Sequence, residues 1–203
     1  RRKYPHSLFE RYADDILVHC KTKEEAENLK AIIAQRLLEC KLELHPEKTK
    51  IVYCKDGKRR DDYPTRKFDY LGYTFRPRLV RDSRGEYFVS FTPAISQEAR
   101  TTIRRVMRRW RLDRRSDLSL DELAERINPK LRGWINYYGV YRRSELRLVF
   151  QTLNRTFVRW ARKKYKKMRY SQARAMAWLR EIAKCQRTLF YHWQMDILPV
   201  FER

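Results

Sequence analysis

Hydrophobic rhythm changes at Pro93, and no single regular architecture accommodates both sides of the change. Up to Phe91 the apolar residues fall in short runs of strand length, punctuated by turn residues. Beyond Pro93 they recur every three or four residues, the period of a helix with one face inward. The chain is therefore expected to be α+β: a partial layer of β-hairpins plus a helix over residues 1–95, followed by an all-α bundle over residues 96–203. At 203 residues, with 42% hydrophobic and 13% aromatic content, it is long enough for two small domains.

Before Pro93 the order is strand, strand, helix, strand, hairpin. Leu8-Phe9-Glu10-Arg11-Tyr12 and Ile16-Leu17-Val18-His19-Cys20 flank a turn at Ala13-Asp14-Asp15. Thr22 and Glu25 have capping-box spacing. Behind them Ala26, Leu29, Ile33, Leu37 and Cys40 predict a helix with one face on a sheet. Leu42, Leu44 and Ile51-Val52-Tyr53 suggest two short extended pieces around His45-Pro46. Lys55 to Lys67 reads as a charged surface loop. Phe68 to Phe75 is an aromatic strand, and Tyr87 to Phe91 is another beyond the turn Asp82-Ser83-Arg84-Gly85.

After Pro93, Ile103, Val106, Met107 and Trp110 form one apolar stripe, surrounded by Arg104, Arg105, Arg108, Arg109 and Arg111. Ser119 and Glu122 open a second helix. Asn128-Pro129 resembles an N-cap with proline at the first helical position, starting a helix through Leu131, Trp134, Ile135 and Tyr138 that Gly139 can close. Ser144 begins a long helix with Leu146, Val149, Leu153, Phe157 and Trp160 inward. It ends in Arg162-Lys163-Lys164-Tyr165-Lys166-Lys167. Ser171 starts a last helix through Met176, Leu179 and Ile182. With no low-complexity linker, the join near residues 92–96 is expected to be close-packed.

Charge narrows the function. Lys and Arg number 48 against 25 Asp and Glu, a net +23, of which +6 falls in residues 1–95 and +17 in residues 96–203. Such self-repulsion is relieved by a polyanion, and phosphates neutralised by Lys or Arg release counterions, so RNA or DNA is the natural partner. Cys20, Cys40, Cys54 and Cys185 fit no metal-ligand spacing and read as buried thiols in a reducing compartment. No apolar run reaches membrane-spanning length. The expected location is intracellular, in a bacterial cytoplasm.

The candidate chemistry lies at Asp14 and Asp15. Adjacent carboxylates at a tight turn repel each other, and a hard divalent cation such as magnesium removes that penalty. A pair of such ions can activate a hydroxyl and stabilise a departing pyrophosphate. As an isolated feature, Asp-Asp is also an ordinary turn pair. Its place between two apolar runs points to chemistry.

With its flanks, Arg11-Tyr12-Ala13-Asp14-Asp15 resembles the Y-x-D-D block of group II intron reverse transcriptases. Residues 42–51 are similar to the next palm block of that family, and Phe68-Asp69-Tyr70-Leu71-Gly72-Tyr73-Thr74-Phe75 to its primer grip. Asn128-Pro129-Lys130-Leu131-Arg132-Gly133-Trp134-Ile135-Asn136-Tyr137-Tyr138 resembles the signature of the maturase thumb, domain X. Leu189-Phe190-Tyr191-His192-Trp193 matches how that thumb ends. The blocks occur in family order.

The resemblance implies a palm end over 1–95 and a thumb over 96–203. Asp14 would hold catalytic magnesium in a two-metal site, with Asp15 supporting it or sharing the second ion. Lys48 or Lys50 would face the phosphates of the incoming dNTP, the alternative being solvated loop charge for both. Tyr12, Leu71, Gly72 and Tyr73 would lie by the primer strand. Arg104, Arg105, Arg108, Arg109, Lys130, Arg132, Arg162, Lys163, Lys164, Lys166 and Lys167 would contact intron RNA or template–primer backbone. Tyr137 and Tyr138 can either pack inward or stack on a base. The family's third carboxylate and fingers have no counterpart here, so the chain is expected to be a fragment without polymerase activity of its own, the missing palm half being a possible partner in trans. Two other readings stand beside this one: a CRISPR-associated or retron-type reverse transcriptase, and a non-catalytic RNA-binding splicing factor.

Overall fold

The structure is a computed structural model that describes residues 7–59, 61 and 63–200. It is mixed α and β, as the change of rhythm requires. The chain divides into two compact units, one taking in the chain through Tyr70 together with Arg76–Phe91, the other Leu71–Phe75 together with Thr92 onward.

In the first unit, strands β1 (Phe9–Tyr12) and β2 (Asp15–Val18) form an antiparallel hairpin in which Tyr12 stands opposite Asp15 and Phe9 opposite Val18. Ala13 occupies the left-handed region (φ 52), so the reversal is tight and only Ala13 and Asp14 form the tip. Helix α1 (Lys23–Glu39) follows. Thr22 accepts from the Glu25 amide, but the Glu25 carboxylate accepts from Lys21 and from the Ser7 hydroxyl instead of returning to Thr22. The expected capping box is thus half formed. Of the stripe read from the sequence, only Leu29 is buried. The extended pieces at residues 42–44 and 51–53 are not strands: they carry no regular structure, and the backbone amide of Tyr53 donates to the Thr65 carbonyl. The charged loop is irregular as expected, although Arg60 and Asp62 lie outside the described residues.

Phe68 to Phe75 is not one strand. β3 (Phe68–Tyr70) and β4 (Tyr73–Arg81) are separated by a reversal at Leu71 and Gly72. Both have positive φ, 49 and 76, the combination a type I′ hairpin turn demands. The residue types conceal it, because leucine is unusual at such a position. β5 (Tyr87–Ile95) completes a sheet of order β3–β4–β5.

The second unit is helical and has a continuous core. Ala94, Ile95 and Ser96 are buried, and Ser96 caps α2 (Gln97–Arg109). A short 3-10 turn at Leu112–Arg114 leads to α3 (Leu120–Tyr138), which opens on a complete Ser119–Glu122 capping box. Asn128-Pro129 does not start a helix. Pro129 sits inside α3, on an exposed position one turn after exposed Glu125, so water can reach the carbonyl that proline leaves unbonded. Asn128 instead receives the Tyr191 amide (3.0 Å) and donates to the Leu189 carbonyl (2.9 Å), fastening a distant segment. Gly139 ends α3 with ordinary negative φ; it is glycine because a Cβ would stand 2.4 Å from the Ile135 carbonyl oxygen.

Helix α4 (Ser144–Lys164) is the centre of the bundle, with Leu146, Val149, Leu153, Phe157 and Trp160 all buried. α5 (Gln172–Cys185) packs on it, and a short α6 (Tyr191–Gln194), absent from the sequence reading, follows. Around Asn154 a buried polar network closes the unit. Its amide oxygen accepts from the Trp193 indole and lies 2.8 Å from His192 Nε2, while its nitrogen donates to the Ile197 carbonyl. Burial pushes the His192 imidazole down to about 3, so the ring is neutral at ordinary pH. All four cysteines are free thiols, but they are not the buried ones expected: Cys40 and Cys185 are exposed, and Cys20 and Cys54 are half-buried.

Candidate functional site

The β1–β2 hairpin delivers Asp14 at its tip and Asp15 as the first residue of β2, both solvent-exposed. Arg11 donates to the Ala13 carbonyl (2.8 Å), steadying the tip without pairing either carboxylate. Among the described residues, neither aspartate has a side-chain hydrogen bond or ion pair, so four hard oxygen atoms are available to a cation. No group of three His, Cys, Asp or Glu side chains able to hold a metal exists among the described residues. Carboxylate oxygen atoms are the kind of donor that magnesium takes. Tyr12 is exposed on the strand facing Asp15. Lys48 and Lys50 are exposed on an irregular segment.

A second assembly lies wholly in the helical unit. The Leu71–Gly72 turn is held on the C-terminal end of α3. The Tyr137 hydroxyl donates to the Leu71 carbonyl (2.9 Å), the Tyr73 hydroxyl donates to the Tyr137 carbonyl, and the Ser96 amide donates to the Gly72 carbonyl (2.9 Å). The Tyr73 ring is buried among Tyr137 (5.4 Å), Tyr138 (5.6 Å) and Tyr141 (5.4 Å). Desolvation, with the neighbouring phenols, pushes the Tyr73 hydroxyl up to about 12, so it remains a donor. Gly72 is needed twice over, since φ is positive and a Cβ would lie 2.9 Å from the Tyr138 hydroxyl. Both Tyr137 and Tyr138 pack against the turn, and Tyr137 keeps an exposed face. Tyr141 was missed. Its spacing of three and four from the other two tyrosines was a usable signal, hidden by the helix end at Gly139.

This juxtaposition coincides with where two family models meet the chain. The model for "Reverse transcriptase (RNA-dependent DNA polymerase)" matches residues 2–75, ending on the turn strand, and that for "Group II intron, maturase-specific domain" matches residues 99–187. The chain belongs to the group II intron reverse transcriptase/maturase family. No curated protein matches it. The family as a whole carries RNA-directed DNA polymerase activity and uses magnesium.

In the maturase-specific region the basic residues divide into two kinds. Among the described residues, Arg104, Arg105, Arg108 and Arg109 on α2 make no side-chain hydrogen bond or ion pair, and all but Arg104 are exposed. Lys130, Lys166 and Lys167 are likewise exposed and uncommitted. Others serve the fold. Lys163 pairs with Asp113 (2.9 Å), which holds that carboxyl below its usual range. Lys164 donates to the Ser116 and Leu118 carbonyls and lies over the Trp160 ring. Arg162 donates to the Arg169 carbonyl, and Arg132 stacks over Tyr191. The run from Arg162 to Lys167 is therefore partly a helix-end fastening.

Proposed function

We propose that residues 1–95 form the Y-x-D-D end of a reverse-transcriptase palm and residues 96–203 a thumb that grips RNA, intron RNA or an RNA/DNA template–primer duplex. The observation that carries this reading is the seating of Leu71–Gly72–Tyr73 on the α3 tyrosines, within the same unit as the uncommitted α2 arginines. A turn with exposed backbone, anchored on a rigid helix, suits close approach to a primer strand, and free guanidinium groups suit phosphates. Fixed positioning of the primer end is what converts binding into chemistry in nucleotidyl transfer.

Asp14 and Asp15 would hold magnesium, together with a third carboxylate from beyond the described residues. When bound, the metal would supply activation of the primer hydroxyl and stabilisation of the leaving pyrophosphate. The chain's own contribution at that point is to fix two carboxylates on a tight turn opposite Tyr12. Lys48 and Lys50 are the candidates for offsetting dNTP phosphate charge. In this reading the isolated chain binds template–primer and does not extend it. Because no three-donor group is present among the described residues, a purely RNA-binding role is the second reading.

Equilibrium binding of a short RNA/DNA template–primer across a salt series tests the proposal. Replacing Arg104, Arg105, Arg108 and Arg109 by Gln should weaken binding and lower the log–log salt slope by about one for each phosphate no longer neutralised. An unchanged slope would remove α2 from the grip. Magnesium-dependent binding that disappears in Asp14→Asn separates the polymerase reading from the purely RNA-binding one.

A further inference from the structure

We propose that a cavity between α4 and α5 is a receptor for a single phosphate group of a bound polynucleotide; this rests on the RNA-gripping reading above. The cavity, about 140 Å³, is lined by Arg155, Val158, Arg159 and Arg162 from α4 and by Gln172 and Met176 from α5. Spacings of four and three residues place the three guanidinium groups on one stripe of α4. Like charges at that spacing destabilise a helix unless an anion lies between them. No carboxylate lines the cavity, and α5 brings no acidic residue in its first turn. Asp113, whose carboxyl feels the Arg159 charge, is already bound to Lys163.

Two of the three arginines are aimed by neutral partners. Arg159 donates to the Thr156 hydroxyl (2.9 Å) and Arg162 to the Arg169 carbonyl (3.2 Å), contacts that fix the forks and leave their charge unneutralised. The floor is apolar and buried, formed by Val158 and Met176, which keeps water from competing behind the ligand. Gln172, at the first position of α5, adds an amide donor beside helix amides that favour an anion. Forked cations, an amide and a dry floor around a small volume match one tetrahedral oxyanion. A nucleobase would bring no charge to offset that of Arg159 and Arg162.

The test is RNA binding by the full chain carrying Arg155→Gln with Arg159→Gln. A control, Arg147→Gln with Arg180→Gln, removes the same charge from exposed positions on the same two helices that do not line the cavity. The cavity variant is expected to lose roughly tenfold in affinity, the scale of one charge-assisted hydrogen bond, and about one unit of salt slope. The control should lose clearly less. In parallel, inorganic phosphate at constant ionic strength should raise the melting temperature of the wild-type chain and of the control, and leave that of the cavity variant unmoved. Comparing 5′-phosphorylated with 5′-hydroxyl RNA tells a terminal phosphate, where the loss is confined to the former, from an internal phosphodiester, where the loss is equal; either upholds the site. Equal losses in variant and control, with equal phosphate shifts, overturn it while leaving the RNA grip intact. Failure of the wild-type chain to bind RNA sinks the underlying reading instead.

Discussion

The two units of this chain solve the problem of burial differently. The helical unit has a core running from Ile95 to Ile197, closed by fully buried Phe150, Phe157, Trp160, Phe190 and Trp193. In the hairpin unit Leu29 is the one buried apolar side chain among the described residues, while Leu8, Phe9, Ile16, Ile32, Leu38 and Leu42 are exposed. The first has a core of its own, whereas the second presents apolar surface of the kind a partner covers. In the proposed reading, binding machinery sits on the stable scaffold, and the metal-binding tip stands on a part whose apolar surface wants a partner.

The largest effects should arise where the helical core is tightest. Phe157 is fully buried and stacks on Phe190 at 4.4 Å. Phe157→Ala should cost the helical unit about 3–5 kcal/mol, read as a loss of its cooperative thermal transition. A drop below about 1 kcal/mol would show that this core is loose. Next comes the polar network. Asn154→Ala strands the His192 and Trp193 donors in an apolar interior, and a loss of about 2–3 kcal/mol is expected by chemical denaturation.

His192 supplies a pH-dependent version of the same test. Its folded pKa, about 3, lies below the usual imidazole value of 6.5, so the unfolded chain takes up the proton first. The stabilisation is complete above pH 6.5 and is lost as pH falls toward 3. Between pH 6 and 5, above most carboxylate titrations, stability should decline with a slope approaching about 1.4 kcal/mol per pH unit. His192→Gln should flatten that slope; an equally steep profile in the variant would mean that another group carries it.

What the sequence disclosed follows the same division. Helical stripes such as Leu146, Val149, Leu153, Phe157 and Trp160 were legible because a self-sufficient core writes its period into the chain. Asn128-Pro129 misled because local signals describe a helix start, while a partner sixty residues away had claimed the asparagine side chain. The Leu71–Gly72 reversal was hidden because leucine rarely takes positive φ, and only the tyrosines holding that turn explain it. The aspartate tip was legible as a motif, but which other donors stand near it is a matter of placement in space, and among the described residues no group of three forms. The arginine cavity combines residues 155, 159 and 162 with a second helix, a pairing that the neighbouring Arg162–Lys167 run masks in the linear sequence.

A smaller effect probes the turn. Gly72→Ala forces a Cβ onto positive φ and toward the Tyr138 hydroxyl, costing roughly 1–2 kcal/mol. If the turn positions the primer, template–primer affinity should fall in this variant while binding of single-stranded RNA holds. Equal losses on both ligands would reduce Gly72 to a folding role.

The smallest expected change is at Leu38, and its smallness is the point. Leu38 is 68% exposed on α1, in a unit with almost no core where Ile32 and Leu42 are exposed too. Were this surface already satisfied, Leu38→Gln would cost as much as removing buried apolar area elsewhere. Left open, it should cost no more than about 0.5 kcal/mol, as for surface substitutions generally, and self-association at high concentration should decrease because a sticky patch is diluted. Sedimentation of the wild-type and variant chains, with thermal melts of each, decides the matter. Marked destabilisation without a change in association would mean that the hairpin unit hides a core, and the contrast between the two units would have to be redrawn.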